Sequence, residues 1–220
     1  MYIFAIVKYE FDNLLIMKEI FDNINHIVVV GAWNTAILTE EWVKNNILQD
    51  VENYTIEYPI AGSGSLKYST EDFSFYIVLG HLYFSVKKDS EVASRRTIEY
   101  ARRLFRLLVH TPINAMGINF VFEEQNHCTV FDGLVDTRDL AQTIGKSLTK
   151  TEINRHFKIN DCESLNFKIT QTDDKTEYNF NFDYKTNSPL DIVNIFGDED
   201  DILLKKKQEA IDIISTVYNI

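Results

Sequence analysis

The chain is poor in the residues that build special-purpose backbones. Its 220 residues include 8 glycines and 3 prolines, which excludes a collagen-like repeat, a long low-complexity linker and a glycine-built phosphate loop. The one linker-like stretch, Gly62-Ser63-Gly64-Ser65, is too short to separate domains and lacks the Lys-Ser/Thr that completes a phosphate loop; it reads as a hairpin turn. Cysteine is scarcer still. Cys128 and Cys162 cannot form a disulfide framework, and neither stands in a metal-finger spacing. No window approaches 18 uninterrupted apolar residues, so no membrane-spanning helix is expected. The opening MYIFAIVKYEFDN has no basic leader, and Lys8 and Glu10 interrupt its apolar run. The expectation is a cytoplasmic protein with no membrane partner.

What remains is ordinary globular material. Hydrophobic residues make up 45% and charged residues 25%, which excludes a disordered chain. A chain of this length buries about 70% of its unfolded surface and needs no metal or disulfide to fold. One compact α+β domain over residues 1–220 is therefore expected, with mostly antiparallel sheet and long packed helices. The net charge of −11 repels phosphate backbones and anionic membranes unless the basic residues are gathered in one place.

The apolar periodicity places the elements. Strands are expected at Tyr2–Tyr9 and His26–Val30, the latter ended by Gly31, with a helix over Asp12–Ile24 showing Leu14, Met17, Phe21 and Ile24 on one face. Thr39 is a good N-cap with Glu40 and Glu41 against the dipole, and Trp42 is expected to anchor that helix. Tyr54, Ile56, Tyr58 and Ile60 alternate as a strand that Pro59 pushes to an edge. Asp72–Leu79 and Leu82–Lys87 form a hairpin around Gly80-His81. Ser90–His110 is a long helix with Ile98, Ala101, Leu104, Phe105 and Leu108 inward, closed by Pro112. Ile113–Glu123 alternates again. Glu124–Asp136 is irregular, a short helix runs from Asp136 or Thr137 to Gly145, and another from Thr149 or Thr151 to Phe157.

The clearest pattern follows. Leu165, Phe167 and Ile169, then Tyr178, Phe180, Phe182 and Tyr184, alternate with Asn, Lys, Thr and Asp across a turn at Asp173-Asp174. This is an antiparallel hairpin with one dry face and one wet face. The shared aromatic face reads as core, and the acids opposite make it a poor base-stacking platform. Ser188-Pro189 caps a short helix stopped by Gly197. The last helix, Glu199–Tyr218, turns Leu203, Ala210, Ile211, Ile214 and Val217 or Tyr218 inward. Element order also admits a diverged β-α-β-β-α duplication around one core, with halves 1–110 and 111–220; an undivided α+β sandwich is the other reading.

Arginine placement is the sharpest anomaly. The chain has seven arginines, and Arg95, Arg96, Arg102, Arg103 and Arg106 all lie on the long helix. From Lys87 to Arg106, seven basic residues face only Asp89, Glu91 and Glu99, a net of +4. Guanidinium forks suit phosphate and carboxylate partners. A plain solvated face paired with Glu99 is the simpler reading. The opposite sign gathers in Gln171–Asp201, a net of −7. There Asp198, Glu199, Asp200 and Asp201 read as a helix start rather than a cation site, since no calcium-loop spacing is present. The two clusters together suggest self-docking, within the chain or between two copies, with the arginine helix at a homo-oligomer interface.

Little points to catalysis. No glycine-framed serine or cysteine is present, and paired carboxylates such as Glu123-Glu124 or Asp161 with Glu163 are too common to count. His127-Cys128 with Asp132 and Asp136 is the only metal-flavoured cluster, and adjacent residues on a strand point to opposite faces. The chain thus reads as a non-catalytic intracellular interaction module or small assembly subunit with no cofactor and no metal. Its contact surface is expected at Arg95, Arg96, Arg102, Arg103 and Arg106, and its partner is a protein or a second copy. A nucleic acid or phosphate-bearing small molecule on the same helix ranks second, and an enzyme of unknown class third.

Overall fold

The computed structural model describes residues 17–58, 65–125, 145 and 149–218. The readings at Tyr2–Tyr9, Gly62–Gly64, the 126–136 stretch, the Asp136–Gly145 helix and the His127-Cys128 cluster lie outside the described residues. Within them the protein is an α+β fold: a 10-stranded antiparallel sheet and four α-helices. The strands are β1 (Lys18–Glu19), β2 (Ile27–Gly31), β3 (Thr55–Glu57), β4 (Lys67–Ser69), β5 (Phe73–Val78), β6 (His81–Val86), β7 (Ile113–Gln125), β8 (Lys150–Lys158), β9 (Glu163–Thr172) and β10 (Lys175–Lys185). The helices are α1 (Glu40–Asn46), α2 (Glu91–Leu107), α3 (Pro189–Phe196) and α4 (Ile202–Tyr218).

The strands run β3-β4-β5-β6-β2-β7-β10-β9-β8 across the sheet. The 13-residue β7 is the spine. Along one edge it pairs with β10, from Lys175↔Gln125 to Lys185↔Ala115. Along the other it pairs with β2 at its start and β1 near its end. A register shift at Val30/Gly31 lets β2 bend away. A Cβ on Gly31 would lie 2.7 Å from the Pro112 carbonyl oxygen, so only glycine allows this approach.

Period-2 patterning gives the sheet one apolar side. Phe73, Phe75, Ile77, Phe84, Phe120, Phe122, Phe167, Phe180 and Phe182 are all buried there, and among the described residues every helix packs on that side. Helix α2 starts at the Ser90 cap. It buries Ala93, Thr97, Ile98, Ala101, Leu104 and Phe105 at helical spacing and stacks Tyr100 on Phe73 with centroids 4.8 Å apart. Helix α3 has a reciprocal Ser188–Asp191 capping box and Pro189 in its first turn. Its Phe196 meets Phe105 at 5.9 Å. Helix α4 lays Lys206 over the Phe182 ring at 4.7 Å. No helix is long and apolar enough to cross a membrane among the described residues.

Several expectations are corrected. The described part of the Asp12–Ile24 helix is strand β1 and a turn with Asn23 at φ 62°, because β7 extends beyond β2 and Lys18–Glu19 fill the vacant ladder. The expected Thr149–Phe157 helix is strand β8, paired from Lys150↔Thr172 to Lys158↔Ser164. Ile153 and Phe157, four residues apart, fit a helical face and a strand face equally, and the β9 edge decides. Trp42 is only half-buried, and Val43 is the α1 anchor. The 54–60 strand is short, with Tyr58 71% exposed. Val217 faces solvent at 56%.

Candidate functional site

The arginines of α2 spend most of their hydrogen bonds inside the chain. Arg95 donates to Glu91 (2.9 Å) and to the Glu199 carbonyl (2.6 Å). Arg96 reaches the buried Asp72 (2.6 Å), which Lys88 also holds (2.9 Å). Arg102 is itself buried; it donates to the Gly197 carbonyl and pairs with Asp200 at 2.7 Å. Arg103 donates to the Ile47 carbonyl and to Asp50 and Glu99. Arg106 is exposed and makes no hydrogen bond or ion pair among the described residues. The basic helix therefore clasps α1, the β4–β5 corner and the α3–α4 junction. The acids before α4 meet it there, and Asp201 also pairs with Lys205 at 2.9 Å.

These pairs shift their carboxyls in different directions. A hydrogen bond from Arg103 holds Asp50 below the usual carboxylate range. Burial alone would raise Asp72, but the Lys88 and Arg96 bonds outweigh it and hold it low. For Asp200 burial wins over the attraction of Arg102, and its carboxyl is pushed up.

The other side of the sheet is a second surface, which the sequence reading treated only as wet. Register places Tyr76 opposite Tyr83 on β5 and β6; their rings stack at 4.9 Å, and His81 stacks on Tyr83 at 5.9 Å. Val28 and Val30 of β2 lie beside Tyr83 and His81. Leu79, at the β5–β6 turn, is 77% exposed and held at φ 50°, a left-handed conformation in which its Cβ crowds the backbone carbonyl. Its carbonyl accepts from His81 Nδ1 at 3.0 Å.

Across the β2–β7 seam the same side turns to amides. His156 Nδ1 donates to Asn166 Oδ1 (2.7 Å), Asn166 Nδ2 to Asn181 Oδ1 (2.8 Å) and Asn181 Nδ2 to Asn119 Oδ1 (2.7 Å). Asn119 Nδ2 then donates to the Asn25 carbonyl (2.8 Å), and Tyr76 and Ser85 donate to Asn25 Oδ1 (3.3 and 3.0 Å). The links from His156 to Asn25 all point one way, so the ladder fixes each amide and the His156 tautomer. It floors an open groove of about 570 Å³, also lined by Val28, Val121, Asn154, Lys168 and Asn179. Charges on this side cancel in pairs: across strands Lys67 with Glu57 (3.2 Å), Lys175 with Glu123 (2.6 Å) and Lys168 with Glu152 (2.6 Å), and within β8 Lys150 with Glu152 (2.7 Å). Bonds from those two lysines bring Glu152 down to about 2. The repeated asparagines at wet positions of neighbouring strands were the available sequence signal.

No cluster of three or more metal-ligating side chains occurs among the described residues. Comparison with family models, curated proteins and solved structures finds no match to this chain.

Proposed function

We propose that the protein is a non-catalytic interaction module, an assembly subunit whose contact surface is the side of its sheet that carries no helix among the described residues, and whose first partner is a second copy. The single observation that carries this is Leu79: a large apolar side chain, 77% exposed in a strained turn, beside the Tyr76–Tyr83–His81 stack. Aromatic side chains in a patch without uncompensated charge are enriched at the cores of protein interfaces. A chain with net charge −11 repels its own copies over most of its surface, and the side where lysines and acids cancel is where two copies approach most cheaply. A nucleic acid would have to tolerate Glu57, Glu123, Glu152 and Glu177 among those lysines, which weakens that rival. The exposed, free Cys162 suits a reducing compartment such as the cytoplasm.

The strand order supports a diverged duplication. Outward from the antiparallel β2–β7 seam lie β6-β5-β4 on one side and β10-β9-β8 on the other. In each half the seam strand, β2 or β7, has that half's last strand, β6 or β10, beside it, and a helix follows.

Sedimentation velocity from low to high micromolar protein tests the reading. The expected result is a reversible dimer that Leu79→Asp or Tyr83→Ser abolishes and Arg106→Ala leaves intact. A monomer at every concentration overturns it, as does a dimer that only Arg106→Ala dissociates.

A further inference from the structure

We infer that the cleft between the C-terminal end of α1 and the second half of α2 binds a small oxyanion, a phosphate- or carboxylate-bearing molecule. The cleft has a volume of about 400 Å³ and is lined by Asn46, Gln49, Glu99, Arg102, Arg103 and Arg106, with Leu107 at its edge. Its polar lining is dominated by three guanidinium groups, with two carboxamides that can donate or accept; Asn46 Nδ2 already donates to the Trp42 carbonyl at 2.8 Å. The one carboxylate, Glu99, already accepts from Arg103 Nη2 at 3.1 Å.

Two of the guanidinium groups are fixed in advance. Arg103 is tied to the Ile47 carbonyl (2.7 Å) and Asp50 (2.8 Å). Arg102 is tied to the Gly197 carbonyl and to Asp200 at 2.7 Å. Both are thus ordered at no further entropic cost when a ligand arrives. Arg102 Nε, moreover, is buried with no acceptor among the described residues. A buried guanidinium whose hydrogen bonds are incompletely met is costly, and an anion in the adjoining cleft offsets the cost of its charge. Arg106 stands exposed at the same cleft without an ion pair among the described residues, free to close on the ligand. Arginine cannot shed its charge, and its fork matches the geometry of carboxylate and phosphate oxygens. Asp50 and Glu99 at the margin disfavour an extended polyanion, so the ligand class is a compact anion rather than a nucleic-acid backbone.

Isothermal titration calorimetry of the intact chain, at fixed ionic strength in chloride, tests this with inorganic phosphate, pyrophosphate and citrate. At least one of the three is expected to bind saturably. Arg106→Ala, an exposed substitution that leaves the fold intact, should weaken that binding about tenfold, the loss of one charge-assisted contact. Arg106→Lys, which keeps the charge but not the fork, should fall between. Citrate binding alone assigns the site to carboxylates, and pyrophosphate or phosphate binding alone assigns it to phosphoryl groups. No saturable heat with any of the three overturns the inference, as does an affinity that Arg106→Ala leaves unchanged.

Discussion

The β5–β6 hairpin and the β9–β10 hairpin hold matching places on the two sides of the β2–β7 seam, and their two faces diverge unequally. Toward the helices both are alike: Phe73, Phe75, Ile77, Leu82 and Phe84 on one, Leu165, Phe167, Ile169, Phe180 and Phe182 on the other, all buried. Toward solvent their central positions differ, with Tyr76, His81 and Tyr83 against Asn166, Lys168, Asn179 and Asn181. The turns differ too, strained Leu79-Gly80 against Asp173-Asp174. Burial constrains the helix side to apolar volume, because close packing penalises both voids and polar atoms. The solvent side is under no such constraint, so what is written there reflects what the surface meets.

If the helix sides are equivalent, truncating either should cost alike. Phe75, stacked between Tyr68 (5.2 Å) and Phe84 (5.3 Å), and Phe180, stacked on Phe167 (4.5 Å) and edge-on to Phe122 (6.0 Å), are both fully enclosed. Phe75→Ala and Phe180→Ala are each expected to cost about 3–5 kcal/mol in urea unfolding. A large loss at one site and a small loss at the other would show two cores of unequal quality rather than one.

The halves also grip α2 through carboxylates of opposite behaviour. Asp72 holds it to the first hairpin, and Asp200 holds it to the α3–α4 junction. Asp72 has a lowered carboxyl in the folded state. Its contribution is therefore complete above the ordinary carboxylate pKa and is lost as pH falls through the lowered folded value. Asp72→Asn should cost about 1–2 kcal/mol at neutral pH, kept modest by the half-exposed Arg96 and Lys88, and should flatten the acid limb of stability. Asp200 is raised by burial, so the folded state takes up its proton more readily than the unfolded chain. Its ionised form weakens the native state at neutral pH, and that penalty fades as pH falls through the raised value. Asp200→Asn should make the acid limb slightly steeper, since it removes a group whose contribution to stability rises as pH falls. Unfolding free energies between pH 3 and 7 separate the two, and matching profiles would erase the distinction.

How much of this was legible in the sequence depends on distance along the chain. The β9–β10 hairpin, the Thr39 and Ser188 caps and the Gly197 stop are local signals, and each reads directly from neighbouring residues. Strand β8 did not, because Ile153 and Phe157 satisfy two periods and only the edge of β9 chooses between them. The arginine cluster was plain, but its acceptors were not. Arg96 meets Asp72, Arg103 meets Ile47, and Arg102 meets Asp200, all brought together by the fold. The amide ladder likewise joins Asn25, Asn119, Asn166 and Asn181 from strands that only the sheet order makes neighbours.

The turns offer a milder perturbation. Replacing Leu79 by Asn puts the residue best suited to left-handed backbone before Gly80. It should stabilise the protein by about 1 kcal/mol while removing the apolar anchor of the proposed dimer. Higher stability with lost association is the expected pair of outcomes. Lower stability would mean that Leu79 is held by contacts within its own chain, and the surface reading of the first half would fail.

The smallest effect on stability belongs to the ladder of the second half. A Cβ at Gly117 would stand 2.6 Å from Asn181 Nδ2, the flexible end of a half-exposed side chain, which can swing aside at little cost. Gly117→Ala should therefore break the Asn181–Asn119 link and release Asn166 from Asn181. The loss of one or two solvent-facing hydrogen bonds, about 0.5–1 kcal/mol, is largely offset by the lower chain entropy of alanine in a strand, worth about as much. The consequence should surface three strands away instead. His156 keeps its proton on Nδ1 only while Asn166 Oδ1 is fixed to accept it at 2.7 Å. Ring nitrogen NMR of His156 should then move from a single Nδ1–H tautomer to a mixture, at nearly unchanged unfolding free energy. A tautomer indifferent to Gly117→Ala would reduce the ladder to separate pairwise contacts and leave the second half with no cooperative surface to set against the aromatic stack of the first.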